Sequence, residues 1–236
     1  MREDSVRAAF ERLSADYDAR FPRIIPRYAE FHGVIVQRVA EHVHGRDGRA
    51  AAGRTWLDLG CGTGELSRRL LEAVPGLRLH CLDLAPAMIE RAREKLAAWE
   101  GQVTFAVGHF LTAALPEDAA GVVSALAVHH LEGAEKRALF ERLHRGLAPG
   151  ALLVLGDAVN GGSEAYTDYY LRRWVEHMRA SGMTEDEIAG VLRDHDQNDR
   201  FSTLDEQMAW LLEAGFRDLE CPWKYFLLVV VAGQKR

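Results

Sequence analysis

The sequence predicts an α/β protein built on one mainly parallel sheet with helices on both faces, and three observations carry that reading. From residue 55 onward, short apolar runs alternate with segments of helical periodicity, the pattern of strands joined by crossover helices. The runs are nearly continuous in apolar residues, as strands covered on both faces require. The first run ends in a glycine-rich turn, Gly60-Cys61-Gly62-Thr63-Gly64, that opens a helix, and an acid, Asp83, closes the next run.

The elements come in order along the chain. Val6, Phe10, Leu13 and Tyr17 share one face of a helix over residues 5–20, and Pro22 and Pro26 punctuate the next stretch. A second helix spans about Tyr28–His44, so residues 1–45 form an N-terminal helical cap, and the Gly/Arg/Ala-rich stretch His44–Arg54 reads as a loop. Thr55–Leu59, Leu77–Leu82, Val103–Val107, Gly121–Ala127 and Ala151–Leu155 read as strands. Between them Glu65–Ala73, Pro86–Trp99 and Lys136–Leu147 read as helices, with Pro86 suited to a first turn and Pro149-Gly150 expected to stop the third. After Gly156 the rhythm breaks. Residues 163–194 look like a helical pair, with Gly182 ending the first helix and a Thr184/Glu187 capping box opening the second. A Thr203/Glu206 box opens a helix to Ala214 that Gly215 closes, and Arg217–Tyr225 with Phe226–Gly233 completes seven strands as an antiparallel hairpin. Residues 160–202 are thus expected to be a helical insertion after the fifth strand, within a single domain.

Composition sets limits. At 236 residues, with 48% hydrophobic and 27% charged, the chain can bury one complete core without staples. A net charge of −6 argues against a broad basic surface, so nucleic acid is not the expected partner. Cys61, Cys81 and Cys221 make neither a disulfide framework nor a metal-type spacing, which fits a reducing cytoplasmic setting. The charged start MREDSVRAAFERL is not a secretory signal, and the longest apolar run, Phe226–Gly233, is too short to span a membrane.

The glycine turn carries the strongest chemical signal. A turn between strand and helix lets a ligand approach backbone closely at a helix N-terminus. The third glycine comes one residue too early for a dinucleotide fingerprint, which disfavours an NAD-dependent dehydrogenase, and the Gly-Lys-Ser/Thr of a P-loop is absent. Asp58 before the turn and Glu65 after it would repel a pyrophosphate and suit a ligand with a cationic amino group. Asp83, at the tip of the next strand, can accept both hydroxyls of a ribose. Cys61 within the turn reads as a small packed residue rather than a nucleophile.

These residues resemble the class I, seven-stranded S-adenosylmethionine-dependent methyltransferases, strongly over residues 50–156 and more loosely over 203–235. The family pattern D-x-G-x-G-x-G is met by Asp58, Gly60, Gly62 and Gly64. The resemblance implies a Rossmann-like fold and S-adenosyl-L-methionine as cofactor, its methionine part wrapped by this loop with Cys61 and, at the fourth strand, Ala125. It further implies Asp83 on the ribose and Leu84 and Met88 along the adenine. Where the family often has an acid after the third strand, this chain has Gly108-His109-Phe110, leaving the adenine contact to His109 or to backbone. A narrower resemblance rests on Tyr17-Asp18, Phe21, Ile25-Pro26-Arg27-Tyr28, the run Ser124–Leu131 and Glu213–Arg217. It points to uncharacterised small methyltransferases and to carboxy-S-adenosyl-methionine synthase of tRNA wobble-uridine modification, and implies that Tyr28 touches the cofactor. The region supplying the carboxylate-reading arginine there is matched only loosely, near Arg193, so that activity stands as the alternative.

Methyl transfer from a sulfonium needs alignment and water exclusion above all, and a base only where the nucleophile must lose a proton. His129 and His130 come after the fourth strand, at the sheet edge where ligands bind. Each reads as general base or acceptor orienter, or else as a hydrogen-bonding partner of a neighbouring loop. Asp157 after the fifth strand is a polar candidate or a solvated acid. Tyr166, Tyr169 and Tyr170 share one helix face, with Tyr17 as a further substrate-side candidate. That face either roofs the acceptor or packs on the N-terminal helix or on a second copy in a homodimer. Arg193–Arg200 reads as a solvated loop, and no metal is expected, since His195, Asp194 and Asp196 have no ligand spacing. A small-molecule acceptor is expected. The alternatives are an RNA- or protein-directed enzyme using Arg172, Arg173 and Arg179, and a non-catalytic binding module.

Overall fold

The computed structural model describes residues 2–13, 16–45 and 53–236; part of the expected loop His44–Arg54 lies outside them. Its centre is a seven-stranded sheet. The strands are β1 (Thr55–Leu59), β2 (Arg78–Asp83), β3 (Val103–Val107), β4 (Ala119–Ala125), β5 (Leu147–Ala158), β6 (Phe216–Tyr225) and β7 (Leu228–Lys235). Their order is β3-β2-β1-β4-β5-β7-β6. The first five run parallel, and β7 pairs antiparallel with both β5 and β6. This is the mainly parallel, doubly covered sheet that the sequence predicts.

The helices are α1 (Arg2–Leu13), α2 (Tyr17–Ile24), α3 (Tyr28–His44), α4 (Glu65–Ala73), α5 (Pro86–Lys95), α6 (Gly133–Gly146), α7 (Glu164–Ala180), α8 (Glu185–Asn198) and α9 (Leu204–Ala214). One face of the sheet is covered by Phe31, Ile35 and Val39 of α3 with Leu66 and Leu70 of α4. The other is covered by Leu139, Phe140 and Leu143 of α6 with Trp210 and Leu211 of α9. The capping boxes at Thr184 and Thr203 form as expected, and Gly182 and Gly215 take φ of 79° and 110° beyond the helices they terminate. Among the described residues no helix is long and apolar enough to cross a membrane.

Several element ends shift by one to three residues, and four boundaries differ for a visible physical reason. The single helix over 5–20 is two, α1 and α2, and Pro22 sits inside α2, which ends two residues later. The helix from Pro86 stops at Lys95 and continues as a 3-10 segment, Ala97–Gln102. β4 begins at Ala119 and ends at Ala125, because Leu126 leaves the ladder with φ 56°. β5 starts at Leu147, opposite Ala119; the chain swells outward at Pro149–Gly150, where Gly150 has φ 80°, and regains the ladder with Leu152 opposite Gly121. Pro149-Gly150 therefore shapes a strand rather than separating a helix from one.

The parallel pairing of β1 with β4 places Trp56 beside Gly121. A Cβ on Gly121 would stand 2.4 Å from the Trp56 ring, which is 1% exposed and has little room to shift. Gly121→Ala is expected to lower the unfolding free energy by about 1–3 kcal/mol in urea titrations; an unchanged midpoint would mean that the indole can move aside.

Asp58 is buried between β1 and α4. Its Oδ2 accepts from Ser67 Oγ at 2.5 Å, while Oδ1 has no hydrogen-bond partner. Burial pushes this carboxyl up to about 7, against the opposing hydrogen bond from Ser67. A carboxyl raised above its unfolded value of about 3.9 favours the fold at low pH and loses that contribution as pH rises through the folded value. The stability of Asp58→Asn relative to the natural chain should therefore increase between about pH 4 and pH 7 and then level off. Denaturation series that stay parallel across this range would refute the perturbed carboxyl.

Candidate functional site

Because β1 to β5 run parallel, their carboxyl ends lie along one edge. The glycine turn after β1, Asp83 ending β2, Gly108–Phe110 after β3, Leu126–His130 after β4 and Asp157 near the end of β5 gather there. Two main hollows open at this edge. One, of about 260 Å³, is lined by Gly60, Gly62, Asp83, Leu84, His109 and Phe110, with Tyr17 of α2 and Gly108 alongside. A recess of about 20 Å³ extends it past Tyr28, His32, Asp58, Cys61 and Ala125. The other, of about 120 Å³, lies towards the helical insertion.

The first hollow suits a nucleoside. Gly60 has φ 71°, and a Cβ there would lie 2.3 Å from that of Ala127. Gly62 has φ 53° and open space where its side chain would be, so backbone alone borders the ligand there. Asp83 is buried; its Oδ2 accepts from Gly62 N–H and its Oδ1 from Ala85 N–H, each at 2.9 Å. Burial raises the Asp83 carboxyl despite these bonds. A hydroxyl-bearing ring next to it would supply further donors to this carboxylate. In the recess, the partnerless Oδ1 of Asp58 is an acceptor that a cationic amino group can satisfy. Leu84 and Phe110 supply the apolar walls of the slot and His109 joins them, its Nδ1 accepting from Leu111 N–H at 3.3 Å.

Several residues here were not anticipated. His32 is buried, donates from Nδ1 to Tyr28 O at 3.0 Å and lies 4.3 Å from the Tyr28 ring. Burial lowers its pKa to about 4, so it is neutral beside the recess. Its spacing of four from Tyr28 on α3 was the one local signal. Asp18 of α2 ties the cap to the turn: Thr63 Oγ1 donates to its Oδ1 at 2.6 Å, and Lys95 Nζ to its Oδ2 at 2.7 Å.

The second hollow has an apolar body and a polar end. Phe21, Ile24, Trp174, Val191, Phe201 and Leu227 surround it, and His129, His130, His195 and Asp199 close one side. His129 is buried, and its Nδ1 donates to Asp157 Oδ1. Burial pulls its pKa down, but the facing carboxylates of Asp157 and Asp199 outweigh that and raise it. His130 is lowered, by burial and then by the neighbouring His129. Asp199 stands 3.6 Å from His129 Nε2, 3.2 Å from His130 Nδ1 and 2.9 Å from His195 Nδ1. Those imidazoles hold its carboxyl well below the usual range, against its own burial. Val6, Phe10, Leu126 and His130 border both hollows, and Leu126 reaches the recess as well. A non-glycine residue held at φ 56° at this junction is the kind of backbone strain that collects at ligand sites.

Some sequence-predicted site residues lie elsewhere. Tyr166, Tyr169 and Tyr170 line neither hollow. Tyr169 and Tyr170 pack against Phe226 at 5.6 and 6.3 Å, and Tyr166 is 61% exposed. The same helix instead turns Trp174 inward, where its indole donates to Ile24 O at 2.8 Å, so α7 packs on α2 through that residue. Tyr17 belongs to the nucleoside side; its stacking partner Phe21, at 3.7 Å, borders the second hollow. Asp157 is buried against His129 rather than lining a hollow, and Met88 is fully buried in α5. Glu65 offers no free charge. Burial would raise its pKa, but Arg68 and Arg69 bring it down to about 2. Gly64, at φ 82°, packs on Ala92 and Leu96 of the α5 side as the N-cap of α4. Cys61 is buried, and Cys81 together with burial pushes its thiol well above the ordinary value, which suits packing rather than nucleophilic attack. Residues 193–198 are the last turns of α8 rather than a solvated loop; His195 and Asp199, four apart, were the legible sign that one face points inward.

Known proteins share this arrangement. A methyltransferase-domain family model matches residues 57–150. The chain is 31% identical over 180 residues to the carboxy-S-adenosyl-L-methionine synthase of Geobacter metallireducens, covering 72% of this chain and 70% of that one. It is 30% identical over 166 residues to an uncharacterised methyltransferase of Geobacillus kaustophilus, covering 70% of each. In three dimensions it is similar to the DhpI–SAH complex, with a TM-score of 0.65 at 16% identity over 98% of this chain and 96% of that one. It is also similar to an O-methyltransferase family 2 protein of Planctomyces limnophilus in complex with apigenin, with a TM-score of 0.64 at 17% identity. There all of this chain is covered but only 62% of that one. With the glycine turn, the strand order and these relatives in agreement, the chain belongs to the class I S-adenosylmethionine-dependent methyltransferases and uses S-adenosylmethionine as its cofactor.

Proposed function

We propose that this enzyme transfers a methyl group to a small molecule with an apolar or aromatic body, seated in the hollow between α2, α7 and α8. The observation that carries this reading is His129, held by Asp157 at the polar end of that hollow, which meets the nucleoside hollow at Val6, Phe10, Leu126 and His130. The cofactor supplies an electrophilic methyl on a sulfonium. The chain contributes the rest. Gly60, Gly62 and Asp83 hold the nucleoside, with Leu84, Gly108, His109 and Phe110 along its base. Asp58, Cys61, Tyr17, Tyr28 and Ala125 shape the methionine end, with Gly64 packed behind the turn. Phe21, Trp174 and Phe201 exclude water from the acceptor. Asp157 fixes the His129 ring so that Nε2 faces the hollow, where it orients the nucleophile and receives its proton. The cysteines are free, which supports a cytoplasmic setting.

The carboxy-S-adenosyl-L-methionine synthases among the relatives favour a second reading, carboxylation of the cofactor itself. Against it, Arg193 is exposed, and the second hollow is bordered by Asp194 and Asp199 with Arg20 as its cation. A nucleic-acid substrate has less support. Arg173 is paired with Glu176 and Arg179 with Glu185, leaving little basic rim.

The deciding experiment incubates the protein with S-adenosylmethionine and a panel of small phenols, amines and thiols, and measures S-adenosylhomocysteine release. Stimulation by a small acceptor is expected. Stimulation by tRNA or peptide alone, or a carboxylated nucleoside seen by mass spectrometry, would overturn the reading. Asp83→Ala should weaken S-adenosylhomocysteine binding by about 2–3 kcal/mol, roughly 30- to 150-fold, and Gly62→Val should abolish it; calorimetric affinities like the natural chain's in both would move the ligand elsewhere. His129→Ala should reduce turnover by about 10²–10⁴-fold with cofactor affinity kept, whereas equal losses in both would make His129 structural.

A further inference from the structure

The Asp199 carboxylate stands among three imidazoles, and the separations fit a second use. The 3.6 Å between His129 Nε2 and Asp199 Oδ1 is too long for a hydrogen bond. Two donors each bound at about 2.1 Å to one ion lie roughly 3.0–3.4 Å apart, for right-angle to tetrahedral coordination. The His130 Nδ1 to Asp199 Oδ1 separation of 3.2 Å falls in that range and the His129 one is close above it. One ligand atom from each of His129, His130 and Asp199 lies within 4.8 Å of the others.

The surrounding groups are those of a supported metal site. Asp157 accepts from His129 Nδ1, which leaves Nε2 as a lone-pair donor and is the carboxylate–histidine arrangement that orients metal ligands. His195 Nδ1 donates to the other oxygen of Asp199 at 2.9 Å, leaving Oδ1 to face the two histidines. Two imidazoles and one carboxylate favour borderline first-row ions over magnesium or calcium. The three donors leave coordination positions open, and all three residues border the acceptor hollow.

We propose that His129, His130 and Asp199 bind one divalent first-row transition-metal ion, whose open positions take the oxygen or sulfur nucleophile of the acceptor. The use of the ion rests on the methyl-transfer reading above; the site itself rests on geometry. In the loaded protein His129 is a ligand rather than the proton acceptor. The ion lowers the pKa of the bound hydroxyl or thiol, whose proton leaves to solvent. The new bond to the methyl carbon then forms from the nucleophile's electron pair as the carbon–sulfur bond of the cofactor breaks, its pair staying on sulfur. Loading also moves the proton that His130 Nδ1 donates towards Asn198 O and Asp199 to the other ring nitrogen, Nε2.

The test titrates the chelator-stripped protein with Co²⁺, following visible ligand-field absorption and bound metal by mass spectrometry. One Co²⁺ per chain is expected, displaced by Zn²⁺. Asp199→Asn should weaken it by at least about 100-fold, and Asp157→Asn by about 10- to 100-fold, with S-adenosylhomocysteine affinity unchanged in both. His130→Gln gives the same reading should Asp199→Asn not fold. Absence of stoichiometric binding, or an unaltered Co²⁺ spectrum in Asp199→Asn or His130→Gln, overturns the metal site and leaves the methyl-transfer reading standing. Failure of the natural chain to bind S-adenosylhomocysteine while it binds Co²⁺ would overturn that reading instead.

Discussion

One hydrogen bond organises the ligand edge: Gly62 N–H to Asp83 Oδ2, at 2.9 Å. It joins the turn after β1 to the tip of β2 with a carboxylate that burial has already raised. Gly60 and Cys61 N–H both donate to Leu82 O nearby, so the turn is fastened to β2 by its own backbone as well. The bend is held open against the sheet, and a side chain at Gly60 would collide with Ala127. The same fastening decides how β4 leaves the sheet, because Ala127 must be small for the turn to pass over it.

The two hollows are laid out from that point. β4 ends beside the turn, and Leu126, Ala127 and the 3-10 segment Val128–His130 run across the sheet edge between the nucleoside and the insertion. Leu126 N–H donates to Gly156 O at 2.9 Å, which keeps this crossing segment on β5 and brings His129 against Asp157. Arg200 N–H donates to His129 O at 2.7 Å, so the segment is held from the insertion side as well. Both chambers thus share a partition whose position is set by backbone rather than by side-chain packing.

Much of the frame could be read along the chain because its signals are local. Thr55–Leu59, Glu65–Ala73, Tyr28–His44 and Val103–Val107 have the bounds that apolar runs, glycines and caps imply. Local signals mislead where distant parts of the chain decide. Pro149-Gly150 looks like a helix stop until Ala119 and Gly121 are seen to hold the strand on both sides of it. Likewise for the site, the turn and Asp83 carry their geometry in their spacing, and they meet as expected. The pairing of His129 with Asp157 and with Asp199 joins three separate elements, and no local pattern announces it. The tyrosines of α7 misled because helical spacing says which residues share a face, not which face turns inward; Trp174 takes that place by reaching Ile24 O.

The position of α2 has a consequence for both compartments. Its eight residues carry Tyr17 on the nucleoside hollow, Phe21 and Ile24 on the acceptor hollow, and Asp18 bonded to Thr63 and Lys95. The two compartments therefore share one wall, and its tie to the glycine turn runs through a single aspartate.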